Sequence, residues 1–244
     1  MTENDFFTAN WNAPENIKTL LTYRTGGVSS GAYSSLNFGL HVGDNPNDVL
    51  KNRKMLQDFI PVNVVYLNQI HSNKVIYAPQ FENETPDADA SWDDTGRVAC
   101  VIMTADCLPV LLCNNEGNKV AAIHCGWKSL ASNIIANTVV AMKTQPENIY
   151  AYLGAAIGEN SFEVGVDVYN AFVSQNQQNQ SAFIKTTNDK FFANIYKLAQ
   201  IALNSLGVYQ IYGGGHCTVK ESDKFFSYRR EKITGRMVSA IWIE

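Results

Sequence analysis

Three residues of this chain pair donor chemistry with a telling position: His71, Cys107 and His124. Each follows an apolar run of the kind that forms a buried strand: "VVYLNQI" before His71, "VIMTAD" before Cys107, "VAAI" before His124. Strand ends that meet loops are where sheet-based enzymes carry their site residues. Two imidazoles and one thiolate with a fourth position open make a catalytic zinc set. No local spacing such as HExxH or CxxC links the three, and a single His or Cys at a strand end is more often structural. From these residues alone, a metal site and a structural role both stand.

The thiol sits inside "VIMTADCLPVLLC", next to an acid, Asp106. A carboxylate in such a run is costly to bury unless something compensates it. Asp106 is therefore expected to accept hydrogen bonds that hold the Cys107 turn. Asp89, in "DADAS", reads as a loop cap, with an acid/base carboxylate as the alternative. His41 and His216 read as loop or core histidines. Cys100, Cys113, Cys125 and Cys217 lie in or beside apolar runs, where cysteine behaves as a small hydrophobe.

Anion binding is the next chemistry on offer. "HCGWKSL" reads as strand, glycine turn and helix start, with Lys128 close to the free N–H groups, a geometry that favours phosphate or carboxylate. Arg24 in "TYRTGGVSSG" and Arg229 in "FFSYRRE" each follow a strand. Any one of these cations, taken alone, reads equally as a solvated surface charge. "YGGGH" lacks a following lysine or helix and reads as a turn.

The elements that must position these groups are legible as pattern. Helices are expected over "NPNDVLKNRKMLQDFIP", with Asn45 as N-cap and Pro61 as stop, over "SLASNIIANTVVAMK", over "VDVYNAFVSQ", and over "FFANIYKLAQIALNSLG", ending at Gly207. Strands are expected at "TLLTYR", "VVYLNQ", "KVIYA", "VACVIMT", "PVLLC", "KVAAIHC", "IYAYLG", "VYQIY", "KFFSY" and "MVSAIWI". Several are apolar throughout, which implies burial on both faces. Strands outnumber helices without a clean βαβ alternation, so the expected class is α+β: a mixed sheet or two packed sheets with helices outside.

The 244 residues carry a formal net charge of −4. With no basic stripe, a nucleic-acid partner is not expected. No apolar run is long enough to span a membrane, and five cysteines without CxxC suit reduced thiols. A cytoplasmic, monomeric protein of one domain over residues 1–244 is expected, acting on a small molecule.

Six ordered blocks, "TYRTGGVSSGAYSSLNFGLHVGDNPNDVLKNR", "NQIHSNKV", "TADCLPVLL", "AAIHCGWKSL", "GAAIGENSFEVG" and "CTV…FFSYRRE…TGR", together resemble the YfiH/laccase-domain family, described as purine nucleoside phosphorylases and earlier as polyphenol oxidases. The resemblance runs from about Tyr23 to Arg236. It implies a mixed β-sandwich flanked by helices in α/β/β/α layers and a single metal, Zn²⁺ or alternatively Cu²⁺, on His71, Cys107 and His124, which would also be the catalytic set. It implies phosphorolysis of a purine nucleoside such as adenosine, inosine or 5′-methylthioadenosine, with adenosine deamination as a companion activity. Arg24, Lys128 and Arg229 are then the expected phosphate holders, with Asn37 and Gln69 as substrate contacts. The family's "HAGWRG" reads "HCGWKS" here, so Cys125, Lys128 and Ser129 replace Ala, Arg and Gly. Lysine keeps the charge but loses the bidentate fork. Rival readings are a copper polyphenol oxidase, a Cys107–His124 amide hydrolase of the peptidoglycan-precursor editing type, and a non-enzymatic binding module. Four histidines are too few for a multi-copper centre.

Overall fold

The structure, a computed structural model, describes residues 1–186 and 189–244. Two sheets carry the fold. The first has the order β1 (Phe6–Phe7), β2 (Ile17–Thr22), β14 (Met237–Ile243), β6 (Val98–Thr104), β3 (Asn63–Val65). The second has the order β13 (Gln210–Gly213), β9 (Ile149–Leu153), β7 (Leu108–Asn114), β8 (Val120–Cys125), β5 (Ala90–Asp93), β4 (Val75–Tyr77). Both are mixed: β3 runs parallel to β6 and β14 antiparallel to it, while β13 runs parallel to β9 and β7 antiparallel.

Side-chain alternation explains why the central strands read as apolar throughout. In β6, Val98, Cys100 and Ile102 pack between the sheets against Leu111 and Cys113 of β7 and Val120 and Ala122 of β8. Ala99, Val101 and Met103 face the other way, beneath Leu56 of helix α1 (Pro46–Gln57). In β7 and β8, Leu108, Val110, Leu112, Ala121, Ile123 and Cys125 face α3 (Ile134–Met142), α4 (Val166–Val173) and α5 (Ile195–Leu206). Each strand is coated on both faces, and the layers are α/β/β/α.

Most expected elements form, with local differences. Asn45 caps α1 by accepting the Asn47 N–H at 3.0 Å. The helix expected over "SLASNIIANTVVAMK" is broken in two, α2 (Trp127–Ala131) and α3, because Asn133 takes a left-handed φ of 65°. The "FFANIYKLAQIALNSLG" helix starts only at Ile195. Phe191 and Phe192 lie instead in β12 (Lys190–Ala193), paired between β10 (Glu163–Gly165) and β11 (Phe183–Lys185), and Asn194 caps the helix through the Lys197 N–H. "KFFSY" is not a strand: Phe225 and Phe226 are fully buried, and the chain then enters α6 (Tyr228–Glu231).

Candidate metal site and its cleft

"VIMTADCLPVLLC" is two strands in two different sheets. β6 belongs to the first and β7 to the second, so Ala105, Asp106 and Cys107 form the corner where the chain crosses between them. Asp106 sits at φ 95°, a left-handed conformation that aspartate tolerates better than most residues. Its carboxylate accepts the Thr218 hydroxyl and the Arg229 N–H, both at 2.6 Å, and its carbonyl accepts the Ile157 N–H. The acid is thus half-buried, fully engaged, and fixes the turn that presents Cys107, as its position suggested. Pro109 is tolerated because it stands at the strand's start, before pairing with β9 begins at Val110.

His124 is the penultimate residue of β8, on the same side as Val120 and Ala122, and is 4% exposed. Asp89, fully buried just ahead of β5, accepts the His124 Nδ1–H at 2.8 Å, while the Asp89 carbonyl accepts the His124 N–H. Nε2 is left for a ligand. The same carboxylate accepts the N–H groups of Ile70, His71 and Ser72 and the Ser72 hydroxyl. Asp89 therefore ties the loop carrying His71 to the strand carrying His124. Burial pushes its carboxyl up, but the bonds from His124 and Ser72 outweigh that and hold it below the usual carboxylate range.

His71 is not at a strand end. β3 stops at Val65, and His71 lies six residues on, in a loop, at φ 58°. Where β3 ends, the Gln69 side chain takes over its hydrogen-bonding: the amide donates to the Met103 carbonyl at 2.8 Å and accepts the Met103 N–H at 2.7 Å. Burial and the neighbouring His124 pull the His71 pKa down, favouring the neutral ring.

The ligand atoms of His71, Cys107 and His124 all lie within 4.8 Å of one another. Zinc bond lengths of about 2.0–2.3 Å space tetrahedral donors some 3.3–3.7 Å apart, so modest side-chain movement closes this set on an ion. The pattern of space fits as well. A Cβ on Gly126 would stand 2.7 Å from His71 Nδ1 and 3.2 Å from Cys107 Sγ, so only glycine lets the three approach. Their donor types, two nitrogens and a sulfur with a carboxylate behind one imidazole, match a catalytic transition-metal site.

The trio lines a cleft of about 530 Å³ with His41, Gln69, Met103, Trp127, Tyr228 and Arg236. Of the expected substrate contacts, only Gln69 lines it. Arg24 lies elsewhere, its guanidinium bonded to the carbonyls of Ser34 and Ser222 and to Glu231. Arg229 donates through Nη1 to the carbonyls of Ser161 and Glu163. Lys128 is exposed outside the lining, and α2, whose start it occupies, is barely one turn long. Asn37 is fully buried, and its side-chain Oδ1 accepts the Arg236 backbone N–H at 2.9 Å. Sequence reasoning passed over Arg236 and set His41 aside. The signal was present in "TGR" and "NFGLH", blocks that the chain brings together. Among the described residues no helix is long and apolar enough to cross a membrane.

This fold belongs to one family. The chain is a member of the laccase-like family described as multi-copper polyphenol oxidoreductase laccase, which matches residues 18–244. Its relatives carry a different activity in their names. It is 45% identical to the purine nucleoside phosphorylase of Haemophilus influenzae over 96% of this chain and 98% of that protein. It is equally 45% identical to purine nucleoside phosphorylase YfiH of Escherichia coli over 96% of each. The crystal structure of a Neisseria meningitidis protein of the DUF152 family superposes with a TM-score of 0.97 at 54% identity, covering 98% of this chain and 99% of that one.

Proposed function

We propose that the protein is a metal-dependent purine nucleoside phosphorylase, with His71, Cys107 and His124 holding Zn²⁺ as resident ion. The carrying observation is the convergence of two imidazoles and a thiol at the wall of a nucleoside-sized cleft, in a chain nearly half identical to named phosphorylases. A bound zinc would supply Lewis acidity beside the reacting atoms. The rest is the chain's own work. Asp89 keeps His124 in the tautomer that offers Nε2, the Asp106 corner presents Cys107, and Trp127 and Tyr228 offer aromatic faces to a purine. In the reaction an oxygen of hydrogen phosphate forms a bond to the sugar's anomeric carbon as the bond to the purine nitrogen breaks, and the leaving base takes up the proton that the phosphate releases. Both sheets contribute to the cleft, so residues 1–244 act as one catalytic unit. Adenosine deamination would use the same cleft.

The test is to incubate metal-loaded protein with inosine, adenosine or 5′-methylthioadenosine, with and without phosphate, and read products by mass. Phosphate-dependent release of free purine, lost in Cys107→Ala, supports the reading. Purine release without phosphate, or none at all, sinks it. The family's oxidoreductase description favours copper oxidase chemistry as a second reading. That reading requires phenol-dependent oxygen uptake that follows copper loading. The chain holds four histidines, and only two belong to the trio, which is too few imidazoles for a multi-copper cluster.

A further inference from the structure

Arg236 is the only arginine or lysine lining the metal cleft among the described residues. Arg24, Arg97 and Arg230 each pair with a glutamate, whereas among the described residues no carboxylate stands within ion-pair distance of Arg236, and Cys107 and Asp106 act on it only at longer range. Its Nη1 donates to the carbonyls of Thr234 and Gly235, both at 3.0 Å. Nε and Nη2 have no protein acceptor among the described residues. Those two nitrogens form the side-on fork by which a guanidinium grips two oxygens of one oxyanion. A half-buried cation whose fork finds no protein acceptor is costly unless water or a ligand completes it.

The surroundings are built to aim this side chain. Asn37, with no exposure of its own, accepts the Arg236 N–H, and the Phe38 N–H donates to the Arg236 carbonyl. A Cβ on Gly39 would lie 2.9 Å from Arg236 Cγ, so the glycine makes room for the stem. Two residues on, His41 joins the same cleft wall. Tyr228 lies beside the guanidinium, its ring centroid 6.0 Å from the central carbon. The loop 37–41 thus holds the base of Arg236, clears its path and adds a second nitrogen donor. Arg53, the other basic group near His41, is already committed to the Phe38 carbonyl and the Tyr66 ring.

We propose that Arg236, with His41 beside it, is the orthophosphate-binding site of the cleft, in place of Arg24, Lys128 and Arg229. This rests on the phosphorylase reading, but its first test does not depend on turnover. Inorganic phosphate is titrated calorimetrically into metal-loaded wild type, Arg236→Gln, Arg236→Lys and Lys128→Gln without nucleoside, and metal content is measured for each. Loss of a charge-assisted fork should weaken phosphate binding about 10- to 100-fold in Arg236→Gln. Arg236→Lys, which keeps charge and stem and stands in should the glutamine chain not fold, should lose several-fold. Lys128→Gln should bind as the wild type does. In turnover, the KM for phosphate rises by the same factor in Arg236→Gln while the KM for nucleoside stays within about twofold. Unchanged phosphate binding in the Arg236 variants overturns the proposal. So does a loss that merely tracks lost metal, or Arg236-dependent binding of a nucleoside 5′-phosphate without any of orthophosphate. Phosphate-independent purine release would instead fail the phosphorylase reading, and the titration would still decide the site.

Discussion

Two corners of this molecule put a histidine and a cysteine beside an acid, and only one gathers a ligand set. At the first, His71, Cys107 and His124 come from three separate segments, and Asp89 binds two of those segments together. At the second, His216 and Cys217 are adjacent in sequence beside Glu221, at a cavity of about 600 Å³. Glu221 accepts both the His216 Nδ1–H at 3.1 Å and the Cys217 N–H at 2.8 Å. There the imidazole packs against the rings of Phe7 and Phe225, while the thiol turns toward the Gly158 N–H and the Ser161 hydroxyl. Neighbours in sequence diverge; distant residues converge. Residue type nominates a site, and the direction of the ligand atoms decides it.

The sharpest test compares two glycines. Gly126→Ala puts a methyl group among the metal donors, so metal content after loading should fall to background, an affinity loss of more than about 100-fold for a set that can no longer close. Gly158→Ala crowds the Cys217 Cβ and Sγ, at 2.9 and 3.0 Å, and should lower the melting temperature while leaving metal content intact. Equal metal content in the two variants would erase the distinction between the corners.

The two acids separate next. Asp89→Asn removes the charge behind His124, and loss of such an outer partner costs roughly 10- to 100-fold in metal affinity. It should also cost several kcal/mol of stability, of the order of about 3–5 for breaking a buried charged pair. Glu221→Gln should cost about 1.5–3 kcal/mol, the worth of a hydrogen bond to a charged group, and nothing in metal affinity. Competition with a chelator measures the first effect and urea unfolding the second.

How much of this was visible beforehand follows from the same contrast. The central strands β6 and β14 were legible to the residue because a strand coated on both faces is apolar without interruption. The three candidate ligand positions could be nominated because each follows such a run in the sequence. His71 was nominated for the wrong local reason: its strand ends early, and Gln69 substitutes a side chain for backbone pairing. Asn37 and Arg24 looked like substrate contacts because their blocks are distinctive, yet one is buried holding Arg236 and the other is spent on carbonyls and Glu231. A motif's composition does not reveal whether its polar atoms face a ligand or the protein. Arg236 does not stand out in the sequence because its open fork is defined by acceptors it lacks, a property of the folded chain alone.

Protons should distinguish the corners too. In the metal-free protein burial opposes a charge on His124, but its interactions with Cys107 and Asp89 outweigh that and push the imidazole up to about 9. A raised pKa means that the charged ring's contribution to stability is present below the unfolded value of 6.5 and is lost as pH rises through about 9. Metal needs the neutral ring and must displace that proton, so apparent affinity should climb up to about tenfold per pH unit and level off near pH 9. A flat profile between pH 7 and 9 would contradict the Asp89 linkage. At the second corner Glu221 has its pKa lowered: burial pushes it up, but the bonds from the Cys217 N–H and His216 prevail. Its contribution is therefore present at neutral pH and is lost only in acid.

The gentlest test is of the thiols. Cys100 and Cys113 are buried and pushed up to about 12, and Cys125 is raised well above its usual value, so none of the three should react with an alkylating agent near neutrality. Burial would also raise Cys217, but the Ser161 hydroxyl and the N–H groups of Lys220, Gly158 and Val219 outweigh it and hold the thiol below its usual range. Cys217 is half-exposed at its cavity. With metal loaded, iodoacetamide should modify one thiol per chain, Cys217, and stripping the metal should add Cys107 as the second. The first modification should leave metal content unchanged, and the second should prevent reloading. If Cys107 reacts as fast with metal present as without it, the sulfur is not a ligand, and the two corners differ only in shape.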